Sequence, residues 1–267
     1  MARTVTVPNE LKDLRNFTYI CWQHLGLPDP TPLQYDICEY LQHGPKRTVI
    51  QAFRGCGKSW LTSVFVIHQL LLDPKKNVLV VSASKNRSDD FSTFCQRLIN
   101  DIPILSHLKP TEGQRFSKIA FDVGPAPASH APSVKSLGIT SQLTGSRADI
   151  IVADDIEVPN NSQTQGMRDK LDEQVKEFDS ILKPLDAARI IFLGTPQCED
   201  SIYTKLTERG YQARVWSAQY PTLDEAEKNY GTTLAPFVKD NITPETIGTS
   251  TEPLRFTDLD LEERKMS

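Results

Sequence analysis

The sequence predicts an α/β fold in which a mostly parallel sheet carries helices on both faces. Apolar runs that suit buried strands alternate along the chain with longer stretches that suit helices. Residues 78–81 read Val-Leu-Val-Val, an uninterrupted apolar run typical of a strand buried on both faces of a parallel sheet. At 267 residues the chain is long enough to bury a full core.

Apolar periodicity and turn signals predict the individual helices. Pro32 opens one helix at a position that tolerates proline, and Asp73-Pro74 ends another. A later helix is predicted from apolar residues at steps of three and four, namely Met167, Leu171, Val175, Phe178 and Leu182. The other predicted helices cover residues 8–26, 32–43, 58–72 and 89–102.

Short apolar runs between these helices predict the strands. Most are continuous rather than alternating, which favours strands in the interior of a sheet. The predicted strands cover residues 49–53, 78–81, 119–123, 134–139, 150–153, 189–193 and 213–216.

The composition changes near Tyr220, after which the chain becomes polar and contains several prolines. We therefore expect a core domain over residues 1–220, including the N-terminal helices, and a small lid or linker subdomain over residues 221–267. Residues 258–265 have the character of a helix that is cut short.

Composition and charge exclude several classes of protein. A net charge of −4 gives no global basic field, so contact with DNA would need a local patch or other subunits. The five cysteines lie far apart without a C-x-x-C pair, which argues against zinc and against a disulfide framework. No apolar run approaches the ~20 residues of a membrane span, and the N-terminus lacks a signal peptide, so we expect a cytoplasmic protein.

Residues 52–59 read Ala-Phe-Arg-Gly-Cys-Gly-Lys-Ser, a Walker A loop whose first glycine is replaced by Ala52. The loop joins a predicted strand to a predicted helix, which is the context that supports phosphate binding. Backbone N–H groups and the helix N-terminus would form a cradle for polyphosphate. We expect Lys58 to act in catalysis at the β and γ phosphates and Ser59 to ligate Mg²⁺, with ATP and Mg²⁺ as cofactors. The nucleotide-binding residues expected in this segment are Gly55, Cys56, Gly57, Lys58, Ser59 and Trp60.

Residues 150–155 place two carboxylates, Asp154 and Asp155, at the end of an apolar strand. A carboxylate at the end of a buried strand is costly unless a cation is close. We therefore predict that Asp154 binds Mg²⁺ indirectly, through Ser59 or a water molecule. Asp155 is predicted to act as the general base on the attacking water. Glu157 is close enough in sequence to compete with Asp155 for this role.

Together with these motifs, further segments resemble a known family. They are residues 31–34 (Thr-Pro-Leu-Gln), residues 192–197 (Phe-Leu-Gly-Thr-Pro-Gln), and the run 133–149 that leads into the acidic strand. The chain resembles the large subunit of a tailed-phage terminase, specifically the short-tailed podovirus type, from about Phe17 to Arg264. The resemblance implies a P-loop NTPase fold of the RecA/ASCE type.

The resemblance also implies roles for single residues. Gln34 matches the glutamine that reads adenine, and Arg54 matches the P-loop arginine that senses the γ-phosphate. Thr195 matches the coupling motif that reports hydrolysis. Arg147 matches an arginine that acts in trans on the ATP of a neighbouring subunit, although a surface salt bridge is equally consistent with its sequence context. Separately, Lys85 and Arg87 follow the second strand, where they either face DNA phosphates or lie at a solvated helix start.

The resemblance implies an ATPase motor that moves double-stranded DNA into a procapsid. The implied partners are the portal protein, the small terminase subunit and further copies in a ring, a pentamer in the family, located in the host cytoplasm and transiently at the procapsid portal. The C-terminal nuclease domain of the family is not expected in this chain. A second departure is Asp155, which stands where glutamate is more usual.

Two other functions fit the same nucleotide-binding motifs. A helicase-like translocase would need a second motor domain, and residues 221–267 are too few to form one. A non-motor nucleotide switch would bind ATP but keep its function after loss of the base. The guanine-reading motif N-K-x-D is absent.

Overall fold

Seven strands form one sheet in the computed structural model, which describes residues 6–197 and 200–266. The strands are β1 (Arg47–Ala52), β2 (Val78–Ser82), β3 (Ala120–Phe121), β4 (Val134–Gly138), β5 (Ile150–Asp154), β6 (Arg189–Gly194) and β7 (Gln212–Trp216). Their order across the sheet is β3-β4-β2-β5-β6-β1-β7. Every neighbouring pair is parallel except β3 with β4. The predicted mostly parallel α/β sheet is confirmed.

Ten α-helical segments connect and cover the described strands. They are α1 (Leu14–His24), α2 (Pro32–His43), α3 (Lys58–Leu72), α4 (Lys85–Asp101), α5 (Pro159–Ser162), α6 (Gln165–Ile181), α7 (Ile202–Glu208), α8 (Leu223–Glu225), α9 (Pro236–Lys239) and α10 (Asp258–Met266). Shorter 3-10 turns cover Asn9–Lys12, Pro103–Leu108 and Gly231–Thr233, and a π turn covers Ala226–Tyr230.

Capping side chains set two helix starts that periodicity placed elsewhere. Asp13 accepts a hydrogen bond from the backbone N–H of Arg15, so α1 begins at Leu14 and a 3-10 turn precedes it. Ser84 caps α4 in the same way, so this helix begins at Lys85 rather than at residue 89. The predicted single helix over residues 8–26 is wrong in this respect.

Two other predictions are wrong in extent. The strand predicted over residues 119–123 is only Ala120–Phe121, which lies at the edge of the sheet beside β4, and Ser117 closes a turn onto Ala120. In α6 the middle residues of the predicted apolar stripe, Leu171, Val175 and Phe178, are buried. Met167, however, is exposed at the helix start, and Leu182 lies beyond its last residue.

Apolar side chains of the sheet pack into two separate hydrophobic cores, one on each face. Val78 and Val80 of β2 pack with α1–α4, whereas Leu79 and Val81 pack with α6 and α7. The alternation follows from the two-residue side-chain period of a strand. Helices therefore cover both faces, as the apolar runs predicted.

The strand register places four loops at one edge of the sheet. Asp154 of β5 pairs with Leu193 of β6, and Gly194 of β6 pairs with Gln51 of β1. Because these strands are parallel, the loops after β1, β5 and β6 meet at their carboxyl ends, and the loop after β2 joins them beside β5.

The segment after Tyr220 returns to this edge. Thr31 at the start of α2 donates its hydroxyl to Glu252 at 2.7 Å, and the Phe256 ring packs edge-on against Phe53 at 5.6 Å. Ala235 and Val238 of the same segment lie in the core that contains α1–α4. The division into domains at residue 220 stays a prediction.

Among the described residues, no helix is both long and apolar enough to cross a membrane. Cys21, Cys38, Cys56 and Cys95 are buried free thiols. Cys198 lies outside the described residues.

Candidate nucleotide-binding site

Two glycines shape the loop between β1 and α3. Gly55 and Gly57 adopt φ angles of +97° and +94°, a left-handed conformation that side chains disfavour. Space is also limited: a Cβ on Gly55 would lie 2.7 Å from the Phe256 ring, and one on Gly57 would lie 3.0 Å from Gln34 Nε2. The positive φ therefore favours glycine at both positions, and at Gly55 an added Cβ would also displace the Phe256 ring.

The Lys58 ammonium group lies folded back onto this loop. Its Nζ donates to the carbonyl of Ala52 and, at 3.2 Å, to the carbonyl of Phe53. The same Ala52 carbonyl accepts the Thr195 hydroxyl at 3.3 Å. The predicted phosphate-binding lysine and the predicted coupling threonine therefore share one backbone oxygen.

Ser59 and Asp154 meet across the site, with the serine hydroxyl 3.2 Å from a carboxylate oxygen. Burial raises the pKa of Asp154 to about 6; the Ser59 hydrogen bond opposes this rise and the charge of Asp155 adds to it. No group of three or more acidic, histidine or cysteine side chains in the described chain could hold a metal by itself. A hydroxyl beside a desolvated carboxylate nevertheless fits Mg²⁺, which takes few protein ligands and completes its shell with phosphate oxygens and water.

Asp155 follows the strand in a strained backbone conformation. With φ of +52°, it is the one non-glycine residue with positive φ in the described part of the chain. Its backbone N–H is held by Leu193 at 2.8 Å, and Arg87 Nη1 lies 3.5 Å from its carboxylate. Its side chain borders the cavity over the P-loop, which indicates a functional reason for the strain.

Glu157, the other candidate base, is held by several hydrogen bonds. Its buried carboxylate accepts hydrogen bonds from Gln197 N at 2.8 Å, from the Ser201 hydroxyl at 2.9 and 3.0 Å, and from Ile202 N at 2.7 Å. Both oxygens thus hold the start of α7. Asp155, by contrast, borders the cavity, so the geometry favours Asp155 over Glu157 as the base, and the choice between them stays a prediction.

Gln34 is fully buried between α2 and the P-loop. Its Oε1 accepts from the Thr31 backbone N–H at 3.1 Å, and its Nε2 donates to the Cys56 carbonyl at 2.9 Å. In this arrangement the glutamine holds the loop in position. Its role at the adenine edge stays a prediction.

The remaining predicted residues fall into two places. Arg54 borders the cavity, while the Cys56 side chain points into the core and burial raises its thiol pKa. Arg147 precedes β5 and therefore lies at the opposite edge of the sheet, where its Nη1 donates to the Ser180 carbonyl at 2.7 Å. Within one chain Arg147 does not reach this site, so action in trans stays a prediction.

A cavity of about 370 Å³ lies over the P-loop, within the ~300–1,000 Å³ typical of small-molecule sites. Two arginines at this site were not assigned to it from the sequence. One lines the cavity and the other contacts Asp155. Arg255 lines the cavity from the C-terminal segment, and no local motif marked it. Arg87 faces Asp155 rather than standing apart from the site; its place after β2 was the available signal.

No protein-family model matches the chain. The terminase large subunit of Enterobacteria phage T3 is 48% identical over 270 residues, which cover 99% of this chain and 46% of that protein. The chain thus spans about half the length of this curated relative.

Solved structures resemble the chain in fold. The large terminase of bacteriophage HK97 has a TM-score of 0.56 at 14% identity, covering 100% of this chain and 52% of that one. A mutant of the large terminase ATPase domain of Thermus phage P74-26 has a TM-score of 0.54 at 14% identity, covering 92% and 91% of the two chains. The predicted P-loop ATPase fold is therefore confirmed.

The hydrogen bonds separate the roles of the two acidic residues near the cavity. We expect Asp155→Asn to lower ATP turnover by ~10²–10⁴-fold, the usual contribution of a general base, and to change the free energy of unfolding by less than ~0.5 kcal/mol. Glu157→Gln should instead lose about 1–3 kcal/mol of stability, because an amide cannot accept all four contacts, and should keep turnover within a few-fold. Urea unfolding and phosphate-release assays measure both. Full stability with abolished turnover in Glu157→Gln would contradict the assignment.

The raised pKa of Asp154 predicts a pH-dependent stability. Because the folded protein favours the protonated carboxyl, the wild type loses stability as pH rises from the unfolded pKa near 3.8 through about 6. Asp154→Asn cannot ionise and should become the more stable protein above pH 7, by at most about 3 kcal/mol, with the difference vanishing near pH 4. Urea unfolding without nucleotide or Mg²⁺ tests this. If the two proteins differ in their free energy of unfolding by the same amount near pH 4 and above pH 7, the pKa of Asp154 is not raised by desolvation.

Proposed function

We propose that this chain, which belongs to the family of the phage terminase large subunits, hydrolyses ATP to drive double-stranded DNA into a procapsid. The observation that carries the proposal is the meeting of two motifs over one cavity. Ser59 of the P-loop contacts Asp154 at 3.2 Å, and Asp155 borders the same space as Gly55 and Gly57.

The P-loop binds the triphosphate through backbone N–H groups and the N-terminus of α3. Lys58 now satisfies its ammonium group with the Ala52 and Phe53 carbonyls. Phosphate oxygens are charged acceptors and form stronger hydrogen bonds, so Lys58 exchanges these carbonyls for the β and γ phosphates. Arg54 and Arg255, which line the same cavity, add positive charge around the triphosphate.

Ser59 and Asp154 would hold Mg²⁺. A bound ion would offset the negative charge that develops on the phosphates during in-line attack. Among the described residues no basic side chain forms an ion pair with Asp154, and its carboxylate is desolvated, so a cation bound beside it would stabilise the charged form.

Asp155 takes the proton of the attacking water. Its backbone N–H donates to the Leu193 carbonyl, and Arg87 lies 3.5 Å from the carboxylate on the side of α4. A held carboxylate beside the phosphates provides both positioning and proton acceptance, which are the main sources of catalysis in phosphoryl transfer to water.

Thr195 couples hydrolysis to the rest of the domain. The Ala52 carbonyl accepts hydrogen bonds from Lys58 and from the Thr195 hydroxyl. When Lys58 moves to the phosphates, the bond from Thr195 remains and the bond from Lys58 is lost. Thr195 directly follows β6, the strand between the P-loop strand and the acidic strand. A change at this oxygen therefore reaches the loop that leads to α7.

The working assembly is a ring, a pentamer, of such chains in the host cytoplasm, engaged transiently with the portal protein of the procapsid and with the small terminase subunit. Arg147 supports this arrangement, since it lies at the sheet edge opposite its own nucleotide site. A neighbouring copy can present that edge to the site, so that Arg147 acts as an arginine finger.

Two inactive variants test the P-loop and the shared site together. Lys58→Ala should abolish ATP turnover through loss of phosphate binding, and Arg147→Ala should lower it by ~10³–10⁵-fold, as for other arginine fingers. A mixture of the two should regain part of the activity, because a Lys58→Ala copy still supplies Arg147 to its neighbour.

The control is the double variant mixed with Arg147→Ala, which should stay inactive. Phosphate release, measured with portal-bearing procapsids and DNA, reports each case. Wild-type turnover of Lys58→Ala would contradict the P-loop assignment, and failure of the two single variants to complement each other would contradict action in trans.

A further inference from the structure

We infer that Trp60, backed by Trp22 and Leu27, binds the base of the nucleotide by stacking. This inference rests on the proposed function and adds the part of the ligand that lies beyond the triphosphate. The ligand class is a purine nucleoside triphosphate whose base lies against the exposed indole.

The cavity over the P-loop has two chemically different walls. One consists of the P-loop and charged groups that suit phosphate, including Lys58 and Ser59. The other consists of Trp22, Leu27 and Trp60, two indoles and an aliphatic side chain. Charged phosphates make no favourable contact with apolar side chains, whereas a flat aromatic base is stabilised by stacking on them.

Trp60 is held in place yet left open. Its ring lies 6.2 Å from the Trp22 ring in an edge-on arrangement and 5.0 Å from the Phe94 ring. Despite these two contacts it is 42% exposed, whereas Trp22 is 2% exposed. The two neighbouring rings fix the orientation of the Trp60 indole but leave one part of it exposed. A third aromatic ring can stack on this exposed part.

Leu27 is brought to the same wall by the backbone. Gly26 takes a φ of +66°, and the Leu27 N–H then bonds to the Trp22 carbonyl at 3.0 Å. This turn fixes the leucine next to Trp22 instead of letting it follow the end of α1. The apolar wall is thus formed by two segments joined by a hydrogen bond.

The chemistry of a nucleotide restricts where its base can lie. Ser59, assigned to the phosphate end of the ligand, and Trp60 are consecutive residues of α3, and both line the same cavity. Gln34, the other candidate for contact with the base, is fully buried with Oε1 engaged at Thr31 and Nε2 at Cys56. Trp60 therefore supplies the exposed contact surface.

The test compares ATP with inorganic tripolyphosphate, which has the phosphates without the base. Calorimetric titration of the full chain with each ligand, in the presence of Mg²⁺, is carried out for wild type, Trp60→Ala and Trp60→Phe. Trp60→Ala should weaken ATP binding by roughly 5- to 100-fold, the range measured for lost base stacking, and leave tripolyphosphate binding unchanged. Trp60→Phe should keep most of the ATP affinity.

Tyr19→Ala is the matched control. Tyr19 is an aromatic residue of α1 with 43% exposure, close to that of Trp60, but it does not line the cavity. ATP and tripolyphosphate should bind this variant as they bind wild type. A further readout is tryptophan fluorescence, which ATP but not tripolyphosphate should quench, and which should lose this response in Trp60→Phe.

Each other outcome has a defined meaning. Equal weakening of both ligands in Trp60→Ala would show that the indole only supports the P-loop, and no weakening of either would show that the base lies elsewhere or that Trp60 serves a protein partner. Both results overturn the inference. Absence of binding of either ligand to the wild type would instead refute the proposed function itself.

Discussion

The parallel register of β5, β6 and β1 is the constraint on which the site depends. It brings the loop after β1 and the carboxylates after β5 to one edge, where a 3.2 Å contact joins Ser59 to Asp154 across 95 positions of sequence. A slip of one residue in this pairing would turn Asp154 to the other face of the sheet and leave the P-loop without its acidic partner. The apolar cores on both faces of the sheet hold this register in place.

Around this contact, several polar side chains act on the backbone rather than on the ligand. Gln34 holds the Cys56 carbonyl, Glu157 holds the start of α7, and Thr195 shares the Ala52 carbonyl with Lys58. Their hydrogen bonds fix the loops, which leaves Asp155, Arg54 and Arg255 at the cavity with side chains directed to the ligand space. The site thus combines a rigid frame with a few available charges.

The sequence predicted those features that depend on local pattern. Continuous apolar runs identified the interior strands, and the Walker A loop identified the cradle because the glycines and Lys58 are consecutive. It did not predict features set by distant contacts. Arg255 reaches the cavity from a segment about 200 positions after the P-loop, and Glu157 is committed to Ile202 by a fold that no spacing reveals. The strand predicted over residues 119–123 was too long because its apolar run includes Ile119, which is exposed and lies outside β3.

A structure of the full chain with Mg²⁺ and a non-hydrolysable ATP analogue tests the central claim most directly. The account predicts that Lys58 Nζ leaves the Ala52 and Phe53 carbonyls for the phosphates, with the ion bound by Ser59 and Asp154 and the γ-phosphate facing Asp155. A nucleotide bound elsewhere, with Lys58 still on those carbonyls, would contradict it.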